Sequence, residues 1–182
     1  LCPARKNGLH IPIIYNTSGY ETIETVRLLS GHIDVYLPDL KYFDDKYALR
    51  YSNAPDYFKT ASAAIAEMYR QTGPCVFDEN GIIKKGVIVR HLMLPGLLFD
   101  TKKIIDYLHS EYGNNIFMSI MSQYTPLGTV PDKFPELKRK LSKKHYAAIL
   151  DYAAGIGVEN AFIQEGDPAS ESFIPDFYEE DS

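Results

Sequence analysis

The sequence predicts an α/β protein with a largely parallel sheet, and three observations support this fold class. Short runs of β-branched and aromatic residues recur along the chain, and segments with apolar residues at helical spacing lie between them. The strand-like runs are continuously apolar, which is typical of strands covered on both faces. Strands that alternate with helices join as right-handed βαβ units and therefore lie parallel. With 182 residues, of which 45% are hydrophobic, we expect one domain over residues 1–182.

The first half of the chain shows the alternation of strands and helices. A cluster of small polar residues follows the first strand, and Gly31 ends the helix after it. Pro55 comes just before a longer helix, where its missing N–H costs nothing. The turn residues 78–81 separate two short apolar runs and predict a hairpin. The predicted elements are a strand at 11–15, a helix at 21–29, a strand at 33–37, helices at 44–51 and 56–72, and a hairpin between 75–77 and 82–83.

The second half repeats the pattern. Pro95 and Gly96 end the third main strand, and Ser142 suits the N-cap of the last helix. The connection over 125–141 is charged and contains prolines, with little periodicity. The predicted elements are a strand at 86–94, a helix at 101–112, a strand at 115–121, a helix at 142–154 and a fifth main strand at 161–164.

Composition narrows the possible partners. The formal net charge is -5, whereas a nucleic-acid-binding domain normally presents a basic face, so we expect no nucleic-acid partner. The sequence has no run of about 20 apolar residues and no leader of the secretory type, so we expect no membrane partner and a cytoplasmic location. Cys2 and Cys75 are far apart in sequence and fit neither a disulfide framework nor a metal motif. Because the chain starts with Leu1 in an apparent element, we interpret it as part of a longer polypeptide.

Polar side chains stand where each predicted strand ends. Because the carboxyl ends of parallel strands share one edge of a sheet, we expect these side chains to converge there, where ligands usually bind. Alternation along an extended strand places Asp39 and Lys41 on one face, and likewise Arg90 and Leu92. The polar groups at these strand ends are Asn16, Thr17 and Ser18, then Asp39 and Lys41, then Arg90, and finally Gln123, Tyr124 and Thr125.

Arg90 interrupts an apolar strand, and a charge there is costly to bury without a partner. Two interpretations stay open: an internal ion pair with Asp39, or a side chain that faces a ligand. His91 points to the opposite face and is expected to be a structural histidine. Lys41 could be a solvated lysine, an imine-forming amine or a clamp for a carboxylate, and spacing does not choose among these. The apolar segment 173–177 is expected to dock on the protein or on a partner.

Six segments of the sequence, taken in order, carry a resemblance to a known family: "YNTSGYE", "DVYLPDLKYFD", "YSNAPDY", "VIVRHLMLPG", "MSQYTPLG" and "FIQEGDPASESFIPDF". They resemble the radical S-adenosylmethionine proteins, and among these the pyruvate formate-lyase activating enzymes and their activase-like iron–sulfur relatives. The resemblance extends from about Ile11 to Phe177.

The resemblance implies a fold, a cofactor and a reaction. The fold would be a partial (β/α) TIM-like barrel that is truncated at its N-terminus, with a docking tail at about 165–182. The family binds a 4Fe-4S cluster through a CxxxCxxC loop that is absent from this sequence. Reductive cleavage of S-adenosylmethionine would give a 5′-deoxyadenosyl radical that abstracts hydrogen from a glycyl radical enzyme or another substrate. Flavodoxin or ferredoxin would supply the electron, and this chain alone would be inactive.

By this resemblance, the strand-end residues become contacts to S-adenosylmethionine. Lys41 and Arg90 would donate to the methionine carboxylate or the ribose, and Asp39 would accept from ribose hydroxyls or the amino group. Leu92 would pack on the adenine. The remaining expected contacts are Asn16 and Ser18 in the turn after the first strand, and Gln123, Tyr124 and Thr125 in a loop over the adenine. Asn16 stands where the activases have an acid, and Thr125 where they have histidine.

Two other classes of function stay open. The chain could be a cluster-independent barrel enzyme that forms an imine on Lys41. It could also be a non-catalytic interaction module that docks through residues 173–177.

Overall fold

The structure, a computed structural model, describes residues 6–126, 132–164 and 171–173. It confirms an α/β fold in which helices alternate with strands, most of which pair in parallel. The chain divides into two compact units. The first comprises Leu1–Arg90 with Asn115–Phe117, and the second His91–Asn114 with Met118–Ser182.

The described part of the first unit contains a strand, a helix and a second strand, in the order that the sequence predicts. The strands β1 and β2 pair in parallel, and β2 pairs in parallel with β4, while the short β3 is antiparallel to β4. The elements of this unit are β1 (Ile14–Thr17), α1 (Ile23–Leu28), β2 (Val35–Pro38), α2 (Asp45–Ser52), α3 (Tyr57–Thr72), β3 (Val76–Phe77) and β4 (Ile83–Leu92), whose last two residues belong to the second unit.

Strand β1 starts later than the sequence predicts, and it includes two of the polar residues expected in the turn. Asn16 pairs with Leu37 and Thr17 with Pro38, so backbone pairing continues through them. Among the described residues of this unit, β1 pairs with β2 on one side. Because Asn16 is exposed, its polar side chain does not interrupt the strand.

Local capping explains where the first helices begin. The Thr22 side chain accepts a hydrogen bond from the Thr25 amide at the start of α1. Asp44 does the same for the Lys46 amide at the start of α2. Pro55 lies one residue before the N-cap of α3, outside the helix.

The hairpin is confirmed, but its return strand and the predicted third main strand form one continuous β4. Gly86 lies inside it with a φ of 137°. A Cβ at Gly86 would lie 2.7 Å from the Cα of Cys75, so glycine is needed for a close backbone approach and does not start the strand. Cys75 is a free thiol that donates to the Val87 carbonyl at 3.3 Å, and burial raises its pKa.

The core of the first unit lies between its strands and α3. Val35 and Val87 are fully buried, and so are Ala61, Ile65 and Met68 of α3. These three residues of α3 are three or four positions apart, so they lie on one face of the helix.

In the second unit, the described residues form two long helices and three strands. The predicted helix at 101–112 begins earlier, at Leu98, and the fourth main strand begins later because residues 113–115 form a short 3-10 turn. Ser142 is the N-cap of the last helix, as predicted, although its side chain makes no capping hydrogen bond. The elements are α4 (Leu98–Tyr112), β5 (Phe117–Met121, with Phe117 assigned to the first unit), a 3-10 turn (Pro135–Lys138), α5 (Lys143–Gly155), β6 (Ala161–Gln164) and β7 (Glu171–Phe173).

Strands β5 and β6 are parallel, and β7 adds to β6 in the antiparallel sense. The sequence did not predict β7, which is too short to show a period of its own. His91 is buried and shares a hydrogen bond of 3.0 Å with Thr101, which confirms a structural histidine. Most of the tail, including residues 174–182, lies outside the described residues, as does Cys2. None of the helices in the described part has the length and apolarity needed to cross a bilayer.

Candidate functional site

Three of the predicted site residues meet in the first unit, near the carboxyl ends of β2 and β4. Arg90 donates from Nε at 2.9 Å and from Nη2 at 2.6 Å to the same oxygen, Oδ1, of Asp39. Lys41 donates from Nζ to the other oxygen, Oδ2. The Asp39 carboxylate is thus held between two cations, an arrangement that we call the strand-end trio. The internal ion pair considered for Arg90 is present.

The charge and exposure of the strand-end trio suit it to an anion. Two cations and one carboxylate leave one net positive charge. The side chains of Asp39, Arg90 and Lys41 are 18%, 29% and 38% exposed, so all three remain accessible to a small molecule. An added carboxylate or phosphate could accept further hydrogen bonds from the same two cations, because guanidinium has five N–H donors and ammonium has three.

The backbone that carries Asp39 is fixed by its two neighbouring strands. The Asp39 amide donates to the Thr17 carbonyl of β1 at 3.0 Å, and the next amide, of Leu40, donates to the Arg90 carbonyl of β4 at 2.9 Å. The Leu40 side chain is fully buried. The segment 39–41 therefore leaves β2 without losing its hydrogen-bond partners.

Tyr57, the first residue of α3, fixes the other end of this segment. Its phenol oxygen accepts from the Lys41 amide at 2.8 Å and donates to the Asp39 carbonyl at 3.3 Å. The ring is buried and stacks on Tyr20 at 5.6 Å between centroids, and Tyr42 meets it edge-on at 5.5 Å. Burial raises the pKa of Tyr57, so the phenol stays neutral at ordinary pH.

The turn after β1 lies against the strand-end trio. Gly19 has a φ of 78°, and a Cβ there would come within 2.0 Å of the Asp39 carbonyl oxygen. Thr17 is buried, accepts a hydrogen bond from the Gly19 amide at 3.2 Å and donates to Glu21. Thr17 and Gly19 thus build the turn, whereas the side chains of Asn16 and Ser18 are exposed.

The other four predicted site residues belong to the second unit. Leu92 ends β4 and is partly exposed, and Gln123 is exposed. Tyr124 donates to the Leu137 carbonyl at 2.6 Å, which anchors that loop to the 3-10 turn, and Thr125 donates to the Gln123 carbonyl at 3.5 Å. That these residues share one site with the strand-end trio stays a prediction.

The described residues offer no ligand set for a metal or an iron–sulfur cluster. Across 6–126, 132–164 and 171–173, no three side chains among His, Cys, Asp and Glu come together in a suitable group. Cys75 has a raised pKa and donates its S–H to a carbonyl, whereas a cluster ligand must be a thiolate.

Sequence reasoning missed Tyr57 and Gly19 as parts of the site. Gly19 follows three small polar residues, in the turn that the sequence predicts after the first strand. Tyr57 is buried in the core. Nothing in the local sequence indicates that its oxygen reaches residues 39 and 41, because that contact depends on how α3 packs.

Comparison with known proteins gives one relative and no family. No family model matches the chain. An uncharacterised protein of Methanocaldococcus jannaschii is 29% identical over 145 residues, which cover 79% of this chain. The match spans 38% of the length of that relative.

Proposed function

We propose that this chain binds S-adenosylmethionine at the strand-end trio and forms part of a cytoplasmic radical S-adenosylmethionine enzyme, of the kind that activates pyruvate formate-lyase. The observation that carries the proposal is the Asp39 carboxylate held between Lys41 and Arg90 at the ends of parallel strands. The sequence resemblance assigns cofactor contacts to these same three residues. The proposed fold of the whole protein is a partial (β/α) barrel.

Each residue of the strand-end trio has a distinct role in the proposal. Lys41 and Arg90 bind the methionine carboxylate of the cofactor, to which both can donate charge-assisted hydrogen bonds. Asp39 orients both cations and accepts from the amino group or a ribose hydroxyl, since a carboxylate has about four acceptor sites. Leu92 and the loop residues Gln123, Tyr124 and Thr125 cover the adenine, and Asn16 and Ser18 contact the cofactor from the turn.

A reduced iron–sulfur cluster would supply the electron that cleaves the sulfonium. The described residues do not hold such a cluster, so the proposed share of this chain is to bind the cofactor, orient it and exclude water. The electron would come from a flavodoxin or ferredoxin, and a glycine of a partner enzyme would be the hydrogen donor. The chain alone is expected to be inactive.

The contact between Lys41 and Asp39 also bears on the alternative of imine chemistry. An imine-forming lysine needs an amine that is free to attack a carbonyl, whereas the Lys41 Nζ donates a hydrogen bond to the Asp39 carboxylate. The geometry thus favours Lys41 as a clamp.

The test compares two arginine variants that each break a pair with a carboxylate. Arg90→Ala removes the pair with Asp39, and Arg70→Ala removes the pair with Glu67 on α3, in which Nε and Nη2 donate at 2.8 Å and 2.7 Å. Equilibrium dialysis of labelled S-adenosylmethionine against the 182-residue chain should show affinity about tenfold or more lower in Arg90→Ala only.

The full-length gene product, reconstituted with iron and sulfide and then reduced, should release 5′-deoxyadenosine. Its rate should fall in Arg90→Ala and persist in Arg70→Ala. Absence of product from a protein that carries a full cluster would refute the radical assignment. Equal binding by Arg90→Ala and the wild type would refute the cofactor site.

A further inference from the structure

We infer that Tyr57 is a positioning residue, and that its phenol oxygen sets the geometry of the strand-end trio through hydrogen bonds to the backbone of residues 39 and 41. Three consecutive amides, of residues 39, 40 and 41, donate to acceptors on three different elements. Two of these acceptors are backbone carbonyls of the adjacent strands. The third is the Tyr57 side chain, which is the one that a substitution can remove.

One oxygen atom connects both ends of the segment. The Tyr57 phenol accepts from the Lys41 amide at 2.8 Å and donates to the Asp39 carbonyl at 3.3 Å. These two groups flank Leu40, so the phenol restrains the peptide planes on both sides of it. A rotation of those planes would turn the Cα–Cβ bonds of Asp39 and Lys41, and with them the carboxylate and the ammonium.

The aromatic ring holds this oxygen at a fixed point. Tyr57 is 3% exposed, with Tyr20 stacked on one side and Tyr42 meeting it edge-on. Tyr20 is itself anchored, because its hydroxyl donates to the Pro55 carbonyl at 2.7 Å, just before α3. A restrained ring loses little entropy when its hydroxyl forms hydrogen bonds, so the position of α3 is transmitted to the strand-end trio.

Packing alone would not require a tyrosine at this position, because phenylalanine has the same ring. What distinguishes Tyr57 is the oxygen, and removing it leaves the part-buried Lys41 amide and Asp39 carbonyl without this partner. Tyr42 provides the matched comparison. Its hydroxyl shares a hydrogen bond of 2.9 Å with Ser52.

The experiment compares Tyr57→Phe with Tyr42→Phe in the 182-residue chain, by NMR without any ligand. In Tyr57→Phe the Lys41 amide should exchange with solvent about tenfold or more faster, whereas the Leu40 amide keeps its protection. The Arg90 Nε–H signal, which reports the contact with Asp39, should shift. Both signals should stay at their wild-type values in Tyr42→Phe.

Binding of S-adenosylmethionine supplies a second readout, and this part alone rests on the proposed function. Affinity should fall about five- to tenfold in Tyr57→Phe and stay within about twofold in Tyr42→Phe. If the wild type does not bind S-adenosylmethionine, the proposed function fails, while the NMR signals still decide the role of Tyr57.

Unchanged Lys41 and Arg90 signals in a folded Tyr57→Phe variant would overturn the inference. If that variant does not fold, amide exchange in the wild type still tests the inference. Its Lys41 amide must be protected to the same degree as the Leu40 amide, and rapid exchange there would overturn the inference as well.

Discussion

Replacing Glu67 by glutamine should destabilise the protein at neutral pH by an amount that shrinks in acid. Glu67 lies on α3 and is only 6% exposed. It accepts hydrogen bonds from Arg70 and, at 2.9 Å, from the side-chain Nε2 of Gln71. The same Nε2 also donates to the Val26 carbonyl of α1 at 3.0 Å, and the side-chain oxygen of Gln71 accepts from the Tyr36 hydroxyl at 2.7 Å. The carboxylate thus anchors a network that joins α3 to α1 and β2.

The size of the effect follows from the pKa of this carboxyl. Hydrogen bonds from Arg70, then from Gln71, lower the pKa of Glu67 from 4.5 to about 2. At about 1.36 kcal/mol for each pKa unit, the upper bound is about 3 kcal/mol. Because the Arg70 side chain is 65% exposed, water screens the pair, and we expect about 1–2 kcal/mol.

The sign of the pH dependence is fixed by the direction of the shift. A lowered pKa means that the folded state binds the proton less readily than the unfolded state. The stabilisation is therefore fully present above about pH 4.5 and is lost as the pH falls towards about 2.

Urea unfolding followed by circular dichroism, at several pH values between about 7 and 3, measures this directly. The difference in the free energy of unfolding between wild type and Glu67→Gln should be constant near neutrality and should decrease in acid. Glu111→Gln, at an exposed helical glutamate, controls for the chemical change itself. A difference that is independent of pH, or that grows in acid, would refute the assignment of a stabilising ionised Glu67.

Two further predictions concern glycines. Gly19→Ala should destabilise the protein by about 2 kcal/mol or more beyond the effect of Gly81→Ala. The two glycines have similar φ values of 78° and 74°, but only a Cβ at Gly19 would meet the Asp39 carbonyl. Equal midpoints of the two variants in thermal unfolding would contradict this prediction. Gly86→Ala should also lower the midpoint of thermal unfolding. Adding Cys75→Ala should not restore the midpoint, because the Cα of Cys75 lies 2.7 Å from the new Cβ. Restoration would show that the clash involved only the Cys75 side chain.

The order of the elements could be predicted because periodicity and turn chemistry act locally. The strand at β6 and the helix at α3 follow directly from such patterns. Boundaries were less predictable where pairing overrides composition. Asn16 and Thr17 continue β1 because β2 supplies backbone partners, and Gly86 lies within β4 because Cys75 passes close to it.

The strand-end trio was predictable for a related reason. Alternation along an extended chain placed Asp39 and Lys41 on one face, and a lone arginine in an apolar strand required a partner. The convergence of the three side chains then followed from a parallel sheet, whose strand ends share one edge. Tyr57 could not be found in this way, because it comes from a helix and its contact depends on packing.

Polar residues at strand ends can either build a turn or face a ligand, and the residue type alone does not distinguish these two roles. At the end of β1 and in the turn after it, the sequence offers three polar candidates, Asn16, Thr17 and Ser18. Thr17, however, is buried, and its hydroxyl is hydrogen-bonded to the Gly19 amide and to Glu21. A hydroxyl committed in this way builds the turn and is not available to a ligand. Its exposed neighbours are the ones that remain accessible. Burial and hydrogen-bond partners, more than residue type, decide which polar groups at a sheet edge can bind.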